Sequence, residues 1–437
     1  MIRSWQLVLA AVLLASCASQ QKEASSADQA ASTEATVAEP DEAEKDGEKR
    51  PVSERRRVGV EDLVRTNNQF AFDLFKSLPS GNLVFSPHGV SSALAIVYAG
   101  AEGVTQEQIG QILRLEMAEK DVHAKFSQLN DELRRREKVK GRDEARGFRL
   151  RVVNGVWYDG AIQPTSRFLR IAHNKHLAEV GDLDFRTDAD GARKRINGFL
   201  GDATAGKIPE LLGPGVLTPL TRVVIANAVY FDAPWRVPFP RHATRSEAFQ
   251  APSGAKNVPT MRQTERHGYL RGDGFAALEL PYGGGEVTAV VMLPDGDVNA
   301  FASGVDANFF DWMVGQLRQT EVHVELPKFE LRTRESLPSI LASMGMPDAF
   351  DPSRANFEGL APADPEAPLY ISEVIHEGVI RVDEDGTEAA AALAAAPSIG
   401  GSAGAPPVEF HADRPFLFAV RDMPTGAILF LGRVVEP

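Results

Sequence analysis

Residues 384–410 read EDGTEAAAALAAAPSIGGSAGAPPVEF. The stretch is almost free of large side chains, and segments that read as buried strands lie on either side. Loops of more than about 15 residues without structure of their own are uncommon in compact domains, and are either functional or disordered. The first half here is Ala-rich and strand-compatible; the second half is rich in Gly and Pro. Alone, an alanine run reads as a helix or a plain linker, because Ala is the best helix former. The flanking segments have to decide.

Downstream, Pro415 to Arg421 and Ala427 to Val434 are nearly continuous apolar runs, as expected of strands buried on both faces. Upstream, strand signals cover Phe148 to Tyr158, Val223 to Phe231, Ala277 to Tyr282 and Glu286 to Leu293. The last two are joined by Gly283-Gly284-Gly285, a hairpin signal. Glu321 to Leu331 reads as one further strand. Helical spacing dominates the first part of the chain. Val60, Leu63, Val64, Phe70, Ala71, Leu74, Phe75 and Leu78 make one amphipathic helix. Ser86-Pro87 opens a second, apolar all round from Val90 to Ala99 and ended by Gly100. Thr105-Gln106-Glu107-Gln108 reads as the capping-box start of a short helix. Val122, Phe126, Leu129 and Leu133 line a fourth. Helices first and strands later indicate an α+β domain. No interior stretch has linker composition, so residues 58–437 read as one domain.

The composition, 43% hydrophobic and 24% charged over 437 residues, is that of a globular protein. A formal net charge of -13 argues against a nucleic-acid partner, which would favour a basic surface. The one cysteine, Cys17, excludes an internal disulfide. Arg3, a short apolar run from Trp5 to Leu14 and then Leu14-Ala15-Ser16-Cys17 resemble a bacterial lipoprotein signal over residues 1–17. The resemblance implies that Cys17 becomes a lipid-modified N-terminus. Ala18 and Ser19 follow it with no aspartate, a sorting pattern that implies the outer membrane or cell surface. Residues 18–57 are polar and charged, and read as a disordered tether.

Six segments, in order, resemble the serpin family. They are NLVFSPHGVSSALAIVYAGA (82–101), TAGKIPELL (204–212), IANAVYFDAPW (225–235), LPKFEL (326–331), EDGTEAAAA (384–392) and FHADRPFLF (410–418). Together they span nearly all of residues 58–437. The resemblance implies the serpin fold: helices around a large mixed central sheet plus smaller sheets, with an exposed reactive-centre loop. It also implies a suicide-substrate inhibitor of a serine protease. The protease attacks the loop and forms an acyl-enzyme, and the cleaved loop then enters the central sheet as a new strand. About 14 residues at roughly 3.3 Å each would carry the protease on the order of 45 Å. The energy comes from a native state trapped away from its minimum.

The resemblance makes Glu384, Gly386, Thr387, Ala389, Ala390, Ala391 and Ala392 the hinge. Gly386 can change φ and ψ freely, and the small alanines can slip between strands. Alternate residues of an inserted strand share a face, so Thr387, Ala389, Ala391 and Leu393 would point inward. Threonine is usual in the family where this chain has Leu393. Counting along the hinge puts the scissile bond at Gly400-Gly401; counting back from Phe410 puts it after Gly401 or Ser402. Ile399 is the one bulky residue nearby. Trypsin-like enzymes favour Arg or Lys in their pocket and chymotrypsin a large hydrophobe, so small residues imply an elastase-like or subtilisin-like target. Pro397 lacks the donor that an inserted strand uses.

Ser86, Asn227 and His376 match the family's positions beneath the opening sheet, and Trp235 matches the tryptophan near the insertion point. His173 and His176 stand three apart on an expected helix without a Glu or Cys partner at matching spacing. They read as a solvated face, and neither a metal nor a cofactor is expected. Arg134, Arg135, Arg136, Lys138, Lys140 and Arg142 form a basic run. In some serpins the equivalent helix binds a sulfated polyanion, but Glu137, Asp143 and Glu144 favour a solvated helix end here. No nucleophile elbow, phosphate loop or zinc signature points to an enzyme. The competing reading is a non-inhibitory serpin that acts as a carrier or binding module. Such members usually carry bulky or charged hinge residues, which this chain lacks. A monomer is expected.

Overall fold

The computed structural model describes residues 59–136, 149–364, 368–387 and 406–437. Its helices are α1 Glu61–Ser77, α2 Pro87–Gly100, α3 Gly103–Ile112, α4 Glu119–Arg136, α5 Ser166–His176, α6 Ala189–Ala203, α7 Val298–Gly304, α8 Ala307–Gln316 and α9 Pro338–Met344. The strands up to the hairpin are β1 Leu83–Phe85, β2 Arg149–Asp159, β3 Glu179–Leu183, β4 Val223–Pro234, β5 Arg245–Ala251, β6 Gly254–Gly272, β7 Phe275–Pro281 and β8 Val287–Pro294. After it come β9 Arg318–Pro327, β10 Phe329–Ser336, β11 Ile371–Val382, β12 Gly386–Thr387, β13 Val408–His411, β14 Phe416–Asp422 and β15 Ile428–Val434.

Two sheets result. One has nine strands in the order β1-β15-β14-β8-β7-β6-β9-β13, with β5 on β6. The other has six, in the order β10-β11-β12-β4-β2-β3, and β11 also pairs directly with β4. Helix α2 packs against α1, α5, β2, β4 and β15, so it touches both sheets. This explains its apolar circumference: almost every position is buried. Ser86 caps it, its Oγ accepting from the Gly89 amide at 3.1 Å, and Pro87 fills the first helical position. The helix comes so close to β4 that a Cβ on Gly89 would lie 2.5 Å from Asn227 Oδ1.

Two expectations are corrected. Helix α3 begins at Gly103, not at a Thr105 cap; Thr105 lies inside it and its hydroxyl accepts from the Asn356 amide at 3.0 Å. A tertiary bond thus takes the hydroxyl that a cap would have used. The run from Glu321 to Leu331 is two strands in two sheets, β9 and β10. The burial phase slips at Lys328: Val322, Val324 and Leu326 are buried before it, Phe329 and Leu331 after it. A one-residue slip reverses the buried face, so the chain changes sheets there.

Candidate functional site

The six-stranded sheet has an unusual centre. β4 and β11 run parallel and pair directly from Ile371↔Val223 to Val379↔Tyr230. Their outer neighbours, β2 on β4 and β10 on β11, are antiparallel. At the upper end the two central strands part, and β12 lies between them, antiparallel to both: Thr387 pairs with Val382 on one side and with Ala233 on the other.

Glu384, Gly386 and Thr387, which the resemblance makes hinge residues, are already buried. Gly386 has φ +154°, and a Cβ there would lie 2.2 Å from the Ala233 carbonyl oxygen. Only glycine fits that approach. Thr387 is fully buried, and its hydroxyl bonds the Tyr282 phenol at 2.7 Å. Burial pushes that phenol's pKa up, so it stays a neutral hydrogen-bonding group. Tyr282 stacks on Trp235 with ring centroids 4.5 Å apart. Trp235 in turn grips the chain ahead of the hinge: its Nε1 donates to Asp383 O at 2.9 Å and its amide to Asp385 O at 2.9 Å. Lys328 Nζ lies 2.8 Å from Glu384 Oε2, Thr244 donates to Glu384 Oε1 at 2.8 Å, and Arg241 pairs with Asp385. Burial pushes the Glu384 carboxyl up, but Lys328 and Thr244 outweigh it and hold the carboxyl below its usual range.

Lower down, Asn227 on β4 and His376 on β11 stand opposite one another in the register. The Ser86 amide donates to His376 Nε2 at 3.1 Å, so the ring proton sits on Nδ1 and donates to Asn227 Oδ1 at 2.7 Å. Ser86 thus meets His376 through its backbone, while its side chain caps α2. Asn227 Nδ2 donates to Asn154 Oδ1 at 2.7 Å, and Asn154 Nδ2 donates to Ser92 Oγ at 3.1 Å. Ser92 is 3.3 Å from His176 Nδ1, and His176 Nε2 is 3.0 Å from His123 Nδ1. His123 Nε2 faces Glu119 Oε1 at 3.4 Å. Every donor and acceptor in this series is compatible with one direction of polarity and neutral rings throughout. Burial lowers His376 to about 3 and holds His176 well below 6.5, the latter helped by the neighbouring His123 and His88.

Ser86, Asn227 and His376 therefore meet beneath β4 and β11, and Trp235 meets the hinge at the top. Sequence reading missed Tyr282, Asn154, Ser92, His123, Lys328 and Arg241. Asn154 carried a signal, an amide inside the apolar run RVVNGVWY, in register with Asn227. The reading of His176 as a solvated residue is corrected: it is 3% exposed and bonded to His123, while His173 is exposed. In the basic run, Arg136 is buried with its Nε 2.9 Å from the fully buried Asp422, and Arg135 pairs with Glu132; Arg134 is exposed. Arg136 is thus withdrawn from any polyanion, because Asp422 offers a charge partner inside the fold. Cys17, Ala389 to Ala392, Leu393, Pro397, Ile399, Gly400, Gly401, Ser402, Lys138, Lys140 and Arg142 lie outside the described residues.

Fold and site together define a sheet protein whose two central parallel strands part at one end, where the residues that lead into the 388–405 segment fill the gap. The chain belongs to the serpin family: the family model for the serine protease inhibitors matches residues 65–437. Leukocyte elastase inhibitor A of Rattus norvegicus is 34% identical over 394 residues, covering 86% of this chain and all of the relative. A serpin-like protein of Thermococcus kodakarensis is 34% identical over 401 residues, covering 90% of this chain and 87% of the relative. The thermophilic serpin tengpin in its native state superposes with a TM-score of 0.78 at 26% identity, covering 88% of this chain and 96% of that one. The family is one of protease inhibitors, not of enzymes.

Proposed function

We propose that this chain inhibits a serine protease of elastase-like or subtilisin-like specificity as a suicide substrate, acting as a monomer. One observation carries the reading: Gly386–Thr387 already lies as a strand between β4 and β11. Below it, a longer inserted strand would replace one parallel contact by two antiparallel ones, which pair slightly better per residue. Glu388 and the small residues Ala389 to Ala392 would follow Thr387 between the strands, and the cut falls at Gly400-Gly401 or one or two residues beyond. The rat relative is named for an elastase, which agrees with a small-residue bait. Incubation with elastase and subtilisin should give a complex that survives boiling in detergent at the summed mass. Cleaved product alone across a broad panel defeats the proposal. A cleaved form no more heat-stable than the intact one would point instead to a carrier-type member.

We propose further that Cys17 is lipidated and that residues 18–57 tether the inhibitor to the outer membrane or cell surface. The short apolar run ahead of Cys17 supports this, and more than one acyl chain would make the anchor stable. A polyanion contact rests more weakly on Arg134 and the basic residues beyond Arg136.

A further inference from the structure

β13 is a four-residue strand at the end of the nine-stranded sheet, held among the described residues by β9 alone. It is the first strand after the 388–405 segment. The two strands are parallel, with Glu409 opposite His323 and His411 opposite Glu325. Val322, Val324 and Phe410 point into the core, so alternation puts all four polar side chains on the outer face. Two imidazoles and two carboxylates form a square, with like groups on the diagonals.

The distances are those of ligands that converge. One ligand atom each from His323, Glu325 and His411 lies within 4.8 Å of the others. His323 Nε2 is 3.7 Å from Glu325 Oε1, and His411 Nε2 is 2.8 Å from Glu409 Oε2. Four ligands around zinc at about 2.05 Å stand about 3.3 Å apart. Small rotations of partly exposed side chains close the difference. Thr264 Oγ1 lies 2.9 Å from His323 Nδ1. Bonding there leaves Nε2 turned toward Glu325; a metal-bound histidine typically has its other ring nitrogen held by such a hydrogen bond. One feature opposes a cation: Arg262 Nη2 sits 2.9 Å from Glu325 Oε1. Arg262 also bonds Glu247 Oε1 at 2.6 Å, so it has an alternative partner when Glu325 turns to a metal.

We propose that His323, Glu325 and His411 bind a zinc-type divalent ion, with Glu409 as the fourth group. Nitrogen and carboxylate donors in this number suit zinc and exclude the all-oxygen preference of calcium and magnesium. The ion joins β13 to β9 and fixes the foot of the segment that follows the hinge. A loop tied at both ends can enter the central sheet along its full length only if one end lets go. The metal therefore opposes release of β13 from β9 while the chain is intact. That consequence rests on the inhibitory reading; metal binding does not.

The test uses the full chain without an affinity tag and zinc alone, titrated against a chromophoric chelator. One zinc per chain is expected, with a dissociation constant on the order of a micromolar or tighter. His323→Ala and His411→Ala should each weaken it by roughly tenfold or more, and His173→Ala should leave it unchanged. Zinc should also slow amide exchange at residues 408–411 in the natural chain but not in His411→Ala. If His323→Ala melts early without zinc, the exposed His411→Ala carries the test alone. Affinity no better than about 1 mM, or affinity that neither variant changes, overturns the proposal. No protease enters the measurement, so failure here leaves the inhibitory reading standing, and failure to trap a protease leaves the zinc result standing.

Discussion

The two ends of the central strand pair, β4 and β11, are held by different chemistry. At the top, the hinge itself fills the gap: Thr387 bonds Tyr282, and Glu384 and Asp385 are held by Lys328 and Arg241. Lower down the two strands pair directly in a parallel ladder, and a neutral side-chain pair, Asn227 with His376, adds to it. The top is wedged open by charged and steric contacts, while the lower part is closed by the backbone ladder together with a side-chain bond that needs an uncharged imidazole. On the proposed inhibitory reading, a strand that advanced from Thr387 would meet that ladder and the Asn227–His376 bond next.

Acid should separate the two ends by the largest margin. Burial holds His376 at about 3 and His88 at about 4, against 6.5 when unfolded. Between those values the unfolded chain binds more protons, so their stabilisation is complete above pH 6.5 and drains away as pH falls toward 4. Each histidine accounts for on the order of 3 kcal/mol at pH 4. Glu384 has the same sign in a lower window: its carboxyl is held low, so its contribution is complete above the ordinary carboxylate range and is lost only as pH falls into and below that range. Burial raises Glu377 and Asp383, and their protonation offsets part of the loss. Amide exchange at residues 223–230 should therefore accelerate between pH 6.5 and 4.5 while residues 383–387 stay protected. Equal acceleration at both ends would remove the distinction.

Gly386→Ala attacks the top alone. The new Cβ would lie 2.2 Å from the Ala233 oxygen and 2.6 Å from Pro234 Cα, both backbone atoms that cannot swing aside. Strain of about 2 kcal/mol is expected, and expelling the hinge relieves it. Fluorescence of Trp235, stacked on Tyr282, should shift, and residues 386–387 should lose protection. Exchange at residues 223–230 should not change. A variant that keeps its hinge buried would mean that β4 yields at Ala233, and the top would then be softer than its packing implies.

Much of this was legible in the sequence because the signals were local. The cap and proline of α2, the triple-glycine hairpin and the apolar runs of β14 and β15 each lie within a few residues. The hinge, Ser86 and Asn227 lie inside an ordered set of short motifs, and His376 matches a family position outside them. What escaped depends on contacts across the chain. His123 and His176 are 53 residues apart and meet only because α4 packs on α5. The β9–β10 break was written in a phase slip at Lys328, hidden by a run that alternates apolar and polar residues on both sides of it. The seating of Thr387 could not be read locally, because Tyr282 reaches it from a separate hairpin 105 residues away.

The smallest effect tests the bond that seats the hinge. Tyr282→Phe keeps the stack on Trp235 and removes one hydroxyl, leaving the Thr387 hydroxyl buried without that partner. A loss of about 1 kcal/mol is expected in urea unfolding. Thr387→Val should cost a similar amount, because it strands the Tyr282 phenol. The double variant removes both groups together, and an apolar pair of the same shape is nearly neutral. It should therefore cost less than the sum of the singles, with a coupling of about 1 kcal/mol. Strict additivity would mean that the 2.7 Å contact contributes nothing. The wedge would then be held by Gly386 and the carboxylates alone, and the difference between the two ends would be purely one of charge.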